Sequence, residues 1–255
     1  MAIRYAVGLP TVGQFGDVNF LTDLAVAAEQ HGWDGVHVWD HVLFHDRDWP
    51  VTSATVAAAA IAARTSRVRI IMTMTLPRRQ AQDVAQDAAA IGELSGGRLT
   101  LLTILGSMDE EFTEFGLDPS PRARGRALDE RLERMGELWS QWNVPRPPIW
   151  CGGLWPHRAG LRRAARYDGA MPIFENQRLR NVDPGDFAAA AAYVRERATG
   201  EPDLVLEGAT GPATAAAQVA PYAAAGLTWW VEALGWWRGD RPAAAARVTQ
   251  GPPAA

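Results

Sequence analysis

Eight short apolar runs, each followed by a stretch of helical periodicity, impose a strict strand-then-helix order on this chain. The runs are Ile3 to Leu9, Gly35 to Trp39, Val68 to Thr73, Arg98 to Leu105, Ile149 to Cys151, Asp168 to Ile173, Leu204 to Leu206 and Leu227 to Val231. Their β-branched and apolar content, with Gly, Pro, Asp or Ser between them, reads as buried strands. After the first run, Phe20, Leu21, Leu24, Ala25 and Ala28 share one helical face that Gly32 ends. Further helices are predicted from Thr52 or Ser53 to Arg64, from Gln80 to Leu94 before Gly96-Gly97, and from Gly125 to Trp142. Others begin with Pro156 as first helical residue, at Asp183-Pro184, after Gly211-Pro212 and after Pro242. Such alternation builds a parallel sheet. No GxGxxG follows an early strand, which argues against a doubly wound dinucleotide fold. The 255 residues match the roughly 250 of a closed barrel. The expectation is an α/β protein, a (β/α)8 TIM barrel, as one domain over 1–255.

All 25 basic residues are arginine, because the chain contains no lysine. Schiff-base aldolases, pyridoxal-phosphate enzymes and P-loop nucleotidases each need a lysine amine and are excluded. A net charge of −4 with scattered arginines offers no basic stripe for nucleic acid. No apolar run reaches the ~20 residues of a membrane helix, and Met-Ala-Ile-Arg-Tyr runs into strand-like sequence without a signal peptide, so a cytoplasmic location is expected. The single cysteine, Cys151, has no partner for a disulfide or a CxxC site.

In a barrel enzyme the reacting groups stand just beyond the C-terminal ends of the strands. After the second strand come Asp40 and His41, then His45; a carboxylate-oriented imidazole is suited to proton transfer, whereas Asp40, His41 and His45 together also read as metal ligands. After the third, Thr73, Met74 and Thr75 precede Pro77 and fit either a rim that hydrogen-bonds a flat heteroaromatic ring or a plain strand exit. After the fifth, Gly152 and Gly153 fit a close backbone approach to an anion or an ordinary turn. After the eighth, Trp229 and Trp230 face opposite sides, so one can line the mouth while the other packs on a helix, and Glu232 can meet a cofactor or an arginine. The Gly125 to Trp142 tryptophans lie on the apolar stripe and read as core.

The stretches Val38-Trp39-Asp40-His41, Leu94-Ser95-Gly96-Gly97-Arg98-Leu99, Glu111-Phe112-Thr113-Glu114-Phe115-Gly116 and Pro148-Ile149-Trp150-Cys151-Gly152-Gly153 followed by Arg162-Arg163-Ala164-Ala165-Arg166 are specific in combination and order. Over nearly its whole length the chain resembles the bacterial luciferase-like family of flavin- or F420-dependent oxidoreductases. Thr228-Trp229-Trp230-Val231-Glu232 and the closing Gly251-Pro252-Pro253 are similar to actinobacterial members. The resemblance implies coenzyme F420 or FMN at the C-terminal rim and a third strand ending in a bulge, with a non-proline cis peptide within Thr73-Met74-Thr75. It also implies Asp40 and His41 near ring and substrate, Gly152 and Gly153 near the cofactor phosphate, and a homodimer. Two departures stand out. Thr103 to Met108, with Gly106, replaces a glycine-rich turn after the fourth strand, and the link from Asn143 to Pro148 is short.

The function expected is hydride transfer or oxygen activation on a small organic substrate, with His41, oriented by Asp40, moving a proton and Thr73, Met74, Thr75, Gly106, Gly152, Gly153, Trp229 and Glu232 around the cofactor. The rival readings are a metal-dependent barrel hydrolase and a non-catalytic cofactor-binding relative.

Overall fold

A computed structural model describes residues 2–211 and 214–253; Pro212, part of one expected helix start, lies outside them. Eight parallel strands close in sequence order into a barrel: β1 (Arg4–Leu9), β2 (Gly35–Val38), β3 (Arg69–Thr75), β4 (Leu99–Ile104), β5 (Ile149–Leu154), β6 (Gly169–Ile173), β7 (Asp203–Gly208) and β8 (Trp229–Ala233), with β8 pairing back onto β1. Helices α1 (Val18–Gln30), α2 (Ala54–Arg64), α3 (Ala81–Leu94), α4 (Glu110–Thr113), α5 (Pro121–Trp142), α6 (Arg158–Ala164), α7 (Pro184–Arg195), α8 (Ala215–Ala224) and α9 (Arg241–Thr249) lie between and after them.

The helix starts follow from side-chain caps that satisfy free N–H groups. Asp17 accepts from Asn19 and Phe20 at α1, Ser53 from Val56 at α2, Asp183 from Gly185 at α7 and Asp240 from Ala243 at α9. Helix α5 begins four residues before its apolar stripe suggests, because Ser120 caps it and Pro121 takes the first position. Gly32, at φ +83°, ends α1 as expected. Pro156 is not the first residue of α6. Strand β5 runs three residues longer than its apolar run, to Leu154, so the turn comes later and His157 stands at the cap. The short helix α4 has no apolar periodicity of its own and was not among the eight expected.

The register is continuous between β3 and β4 through Thr75 and Ile104. Hence the third strand ends without the expected bulge, and among the described residues the cis peptide is Trp155–Pro156, not one within Thr73-Met74-Thr75.

Inside the barrel the layers differ sharply. At the N-terminal end Arg4 pairs with Asp203 at 2.5 Å, Arg69 donates to Thr100 at 2.9 Å, and the Arg4 guanidinium lies 4.5 Å over Trp229. Above it Trp150 and Trp229 meet edge to face at 5.7 Å among Ala6, Ile71, Leu102, Met171, Val205 and Val231. Two indoles fit this narrow space only because glycines face them: a Cβ at Gly169 would stand 2.4 Å from Trp150 Cδ1, and one at Gly35 3.1 Å from Trp229. The opposite strand faces, with Val7, Leu9, Val36, Ile70, Met72, Leu101, Ile149 and Leu204, join the helices in the larger core. Trp139 of α5 is buried there and donates to the Ala85 carbonyl at 2.9 Å, while Trp142 at the helix end is 39 % exposed.

Overpacking of this kind costs about 1–3 kcal/mol. Gly169→Ala should destabilise by that amount in urea denaturation. Gly136→Ala in α5, where an added Cβ meets nothing within 4 Å, should stabilise by about 0.5–1 kcal/mol through helix propensity.

Candidate active site

The C-terminal ends of β2, β3 and β4 are stitched together by a chain of buried charges. Asp40, just after β2, has a fully buried side chain and accepts from Arg78 at 3.0 Å, from Arg79 at 2.6 Å and from the Thr75 backbone N–H at 2.7 Å. Arg78 lies in the 3-10 turn Leu76–Arg78 that follows β3, and its other nitrogen donates at 2.8 Å to Glu111 on α4. Burial alone would raise the Asp40 carboxyl, but Arg78 and Arg79 beside it hold it below the ordinary value. Glu111 follows the same pattern: burial raises it, while the His41 hydrogen bond and the Arg78 charge bring it below normal.

This geometry corrects the expected partner of His41. Asp40 is committed to the two arginines, and the carboxylate that orients the imidazole is Glu111, whose Oε1 accepts from His41 Nδ1 at 3.2 Å and from the Val42 backbone at 2.8 Å. Because Glu111 is ionised, Nδ1 must carry the proton, which leaves Nε2 as the basic nitrogen. The side chain of His41 is 11 % exposed, so it is held yet reachable. Around it stands an aromatic wall. Trp39 stacks on Trp237 at 5.7 Å with 14° between planes, Trp236 closes edge-on against both, and Phe44 stacks on Trp49 at 5.8 Å. The Arg178 guanidinium, from the segment between β6 and α7, lies 4.5 Å over Trp39.

The other expected contacts divide. Thr73 points into the barrel and bonds His37 at 2.7 Å, but Met74 points outward into the helical core, and Thr75 is fully buried against Asp40. Gly106 has φ +87°, and a Cβ there would lie 2.8 Å from Thr75 Cγ2, so only glycine fits this turn, which Arg124 fixes by donating to its carbonyl. Gly152 and Gly153 serve close packing: added Cβ atoms would stand 2.8 Å from Ile104 Cγ2 and 2.9 Å from Gly160 Cα of α6. Trp229 does not reach the mouth. It opens β8, at the far end of the barrel, and is 1 % exposed beneath Trp150. Trp230 packs outward at 5.5 Å from Tyr222. Glu232 also faces outward, fully buried, and its partners are Arg238 at 2.6 Å, Thr210 and Trp230, with Arg247 at 3.4 Å. Of its two readings, the arginine contact is the one formed.

The metal reading finds no support. Asp40 turns to its arginines, His45 is exposed against Phe44, and among the described residues no three His, Cys, Asp or Glu side chains gather as ligands. Burial pushes the Cys151 thiol up to about 11, leaving it unreactive at neutral pH. Glu111 was visible in a family-like stretch without a role attached. Arg78, His37, Arg178 and Trp237 carried no sequence signal, since their contacts with Asp40 and Glu111, Thr73, and Trp39 form only when the strands close into the barrel.

A closed (β/α)8 barrel with a polar, aromatic-walled C-terminal mouth is the architecture of a small-molecule enzyme. The family model for luciferase-like monooxygenases matches residues 6–247, and the chain belongs to that family. It is 35 % identical over 132 residues to an F420-dependent glucose-6-phosphate dehydrogenase of Nakamurella multipartita, covering 50 % of this chain and 38 % of that one. With the protein of the same description from Rhodococcus erythropolis it shares 37 % over 132 residues, 49 % of this chain and 39 % of the other. The chain thus spans about two fifths of the length of the curated relatives it matches. Among solved structures, an F420-dependent secondary alcohol dehydrogenase in complex with an F420-acetone adduct superposes with TM-score 0.74 at 18 % identity, over 91 % of this chain and 93 % of that one. The coenzyme F420-dependent tetrahydromethanopterin reductase of Methanopyrus kandleri gives 0.76 at 14 %, over 98 % and 99 %. These two likenesses show the fold. No helix among the described residues is long and apolar enough to cross a membrane.

Breaking a buried ion pair by removing one charge costs about 3–5 kcal/mol, so Asp40→Asn should destabilise by that order. The folded-state pKa of Asp40 is depressed, so its contribution is present above the unfolded value of about 3.9 and is lost as pH falls below it. Urea titrations between pH 7 and 3 should therefore show a shallower acid loss of stability in Asp40→Asn than in the parent protein.

Proposed function

We propose that the chain is an F420-dependent oxidoreductase that acts on a small organic molecule at the C-terminal mouth, with His41 as its proton carrier. The observation that supports this most is the His41–Glu111 pair on the inner edge of that mouth, in a chain whose relatives of 32–37 % identity are all described as F420-dependent dehydrogenases. A small-molecule substrate, a homodimeric state and a cytoplasmic location are part of the same reading.

The residues at the mouth suit a flat heteroaromatic cofactor. The stacked Trp39 and Trp237 form a planar wall, Arg178 places a cation over it, and Thr73 presents a hydroxyl toward the axis. These four would hold the group, with Gly106 keeping the strand-four turn clear of Thr75. Bound F420 supplies hydride chemistry, and FMN in its place would supply oxygen activation. The protein's own tasks are to bind, to shield and to move a proton. Glu111 fixes the His41 tautomer so that Nε2 takes a proton from, or returns it to, a group in the mouth, and the carboxylate stabilises the imidazolium formed. Asp40, Arg78 and Arg79 act one step back, by holding the loops that carry Glu111 and His41 in register.

Parallel fluorescence titrations with F420 and FMN, read by quenching of the 11 tryptophans, test the cofactor. Saturable binding of F420 in preference to FMN is expected; preference for FMN would move the chain to the oxygenases, and binding of neither would contradict the reading. His41→Ala should lower turnover by about 10²–10⁴-fold while leaving F420 affinity nearly unchanged.

A further inference from the structure

Three polar side chains, two from the neighbouring strands β2 and β3 and one from β7, meet inside the barrel, above the layer of Trp150 and Met171. Thr73 Oγ1 of β3 lies 2.7 Å from His37 Nε2 of β2, and His37 Nδ1 lies 3.6 Å from Glu207 Oε2 of β7. They are 5 %, 3 % and 6 % exposed. Glu207 reaches His37 across β8 and β1 because β1 presents Gly8 there; a Cβ at Gly8 would already stand 3.4 Å from Glu207 Oε2.

The trio is incomplete by hydrogen-bond accounting. His37 Nδ1 is buried without a partner, and at 3.6 Å its separation from Glu207 exceeds hydrogen-bond length. Glu207 accepts no hydrogen bond from any described residue, although a carboxylate offers about four acceptor positions. The trio faces the inside of a barrel whose mouth is the proposed substrate site. Their surroundings restrict the ligand. Arg178 lies within electrostatic reach of Glu207 and supplies the positive charge already, which disfavours a second cation. Glu207 itself disfavours an anion. Ile104 and Ile173, which close over Gly152, and Met171 offer hydrocarbon walls.

We propose that Thr73, His37 and Glu207 form a proton-accepting station on the barrel axis that binds the hydroxyl group of a small neutral alcohol. It rests on the reading of the mouth as the substrate site and is separate from the His41–Glu111 pair. The ligand hydroxyl donates to Thr73 Oγ1 while the Thr73 hydroxyl donates to His37 Nε2. When the ligand O–H bond breaks, its proton passes to Thr73 Oγ1 and the Thr73 proton passes to Nε2. The net change is an alkoxide in the mouth and an imidazolium at His37, and the Glu207 carboxylate beside Nδ1 stabilises that positive charge. Thr73 touches the ligand, His37 acts through Thr73, and Glu207 acts through His37 Nδ1.

Histidine-ring ¹⁵N spectra of the whole protein, without cofactor, test this, with the His37 signals assigned by their loss in His37→Gln. The expected free state has the proton on Nδ1 and an accepting Nε2. Titration with cyclohexanol should shift Nε2 of His37 saturably. Glu207→Leu, which removes the acceptor facing Nδ1 but no ligand contact, should leave the saturable shift in place while the free protein loses its single Nδ1-protonated form and shows both ring tautomers. Thr73→Val should abolish the Nε2 shift, and Thr73→Ser should retain it. An Nε2-protonated ring in the free protein, an absent or non-saturating shift, or an unchanged shift in Thr73→Val would overturn the proposal. The same samples titrated with F420 separate the two readings. A His37 response without F420 binding contradicts the cofactor assignment alone, and F420 binding without a His37 response contradicts the station alone.

Discussion

The buried run of charges from Asp40 through Arg78 to Glu111 is the constraint on which the rest of the mouth depends. Each member follows a different strand, so the run ties three loops that would otherwise move independently. Desolvating four or five charges is expensive, and only near-complete mutual hydrogen bonding offsets it. Arg78 donates to Asp40 twice and to Glu111 once, and Arg79 and the Thr75 backbone complete Asp40, while Arg78 Nε, Arg79 Nε and Glu111 Oε2 are buried without a partner. Arg124 secures the far side by reaching the Gly106 carbonyl and Asp109 while lying 4.1 Å over Phe112. Position, tautomer and exposure of His41 are consequences of this scaffold.

Much of the barrel was legible because strand and helix announce themselves locally. All eight strands were found, with ends displaced by up to three residues where pairing, not composition, decides how far a strand runs, as in β5 and β7. The caps at Ser53 and Asp183 were readable for the same local reason, whereas the last helix was expected only after Pro242 and in fact starts at Arg241 with Asp240 as its cap. Contacts between strands were not. Asp40 was chosen as the partner of His41 because the two are adjacent in sequence, whereas Glu111, 70 positions on, makes the contact. Trp229 was assigned to a mouth that its place at the start of β8 keeps it from reaching. His37 and Glu207 were invisible, because nothing short of ring closure brings β2 and β7 face to face.

The barrel interior also shows how one sequence keeps a dry end and a wet end apart. Below, two tryptophans fill the space and require Gly35 and Gly169 opposite them, sealing the barrel with hydrocarbon and an Arg4–Asp203 pair. Above, the glycine choice is inverted: Gly8 makes room for a carboxylate instead of an indole. The short connection from α5 to β5, Asn143 to Pro148, lies at the sealed end and leaves the mouth chemistry untouched, in contrast to the altered strand-four turn, which Gly106 and Arg124 hold beside Thr75.

The most direct test of this account is a crystal structure of the protein with F420 bound. The account predicts the deazaflavin ring in the C-terminal mouth beside the Trp39–Trp237 wall, within hydrogen-bond reach of His41 Nε2, with Asp40 still paired to Arg78 and Arg79. A ring bound elsewhere, or Asp40 released from its arginines to contact the ring while Glu111 leaves His41, would contradict it.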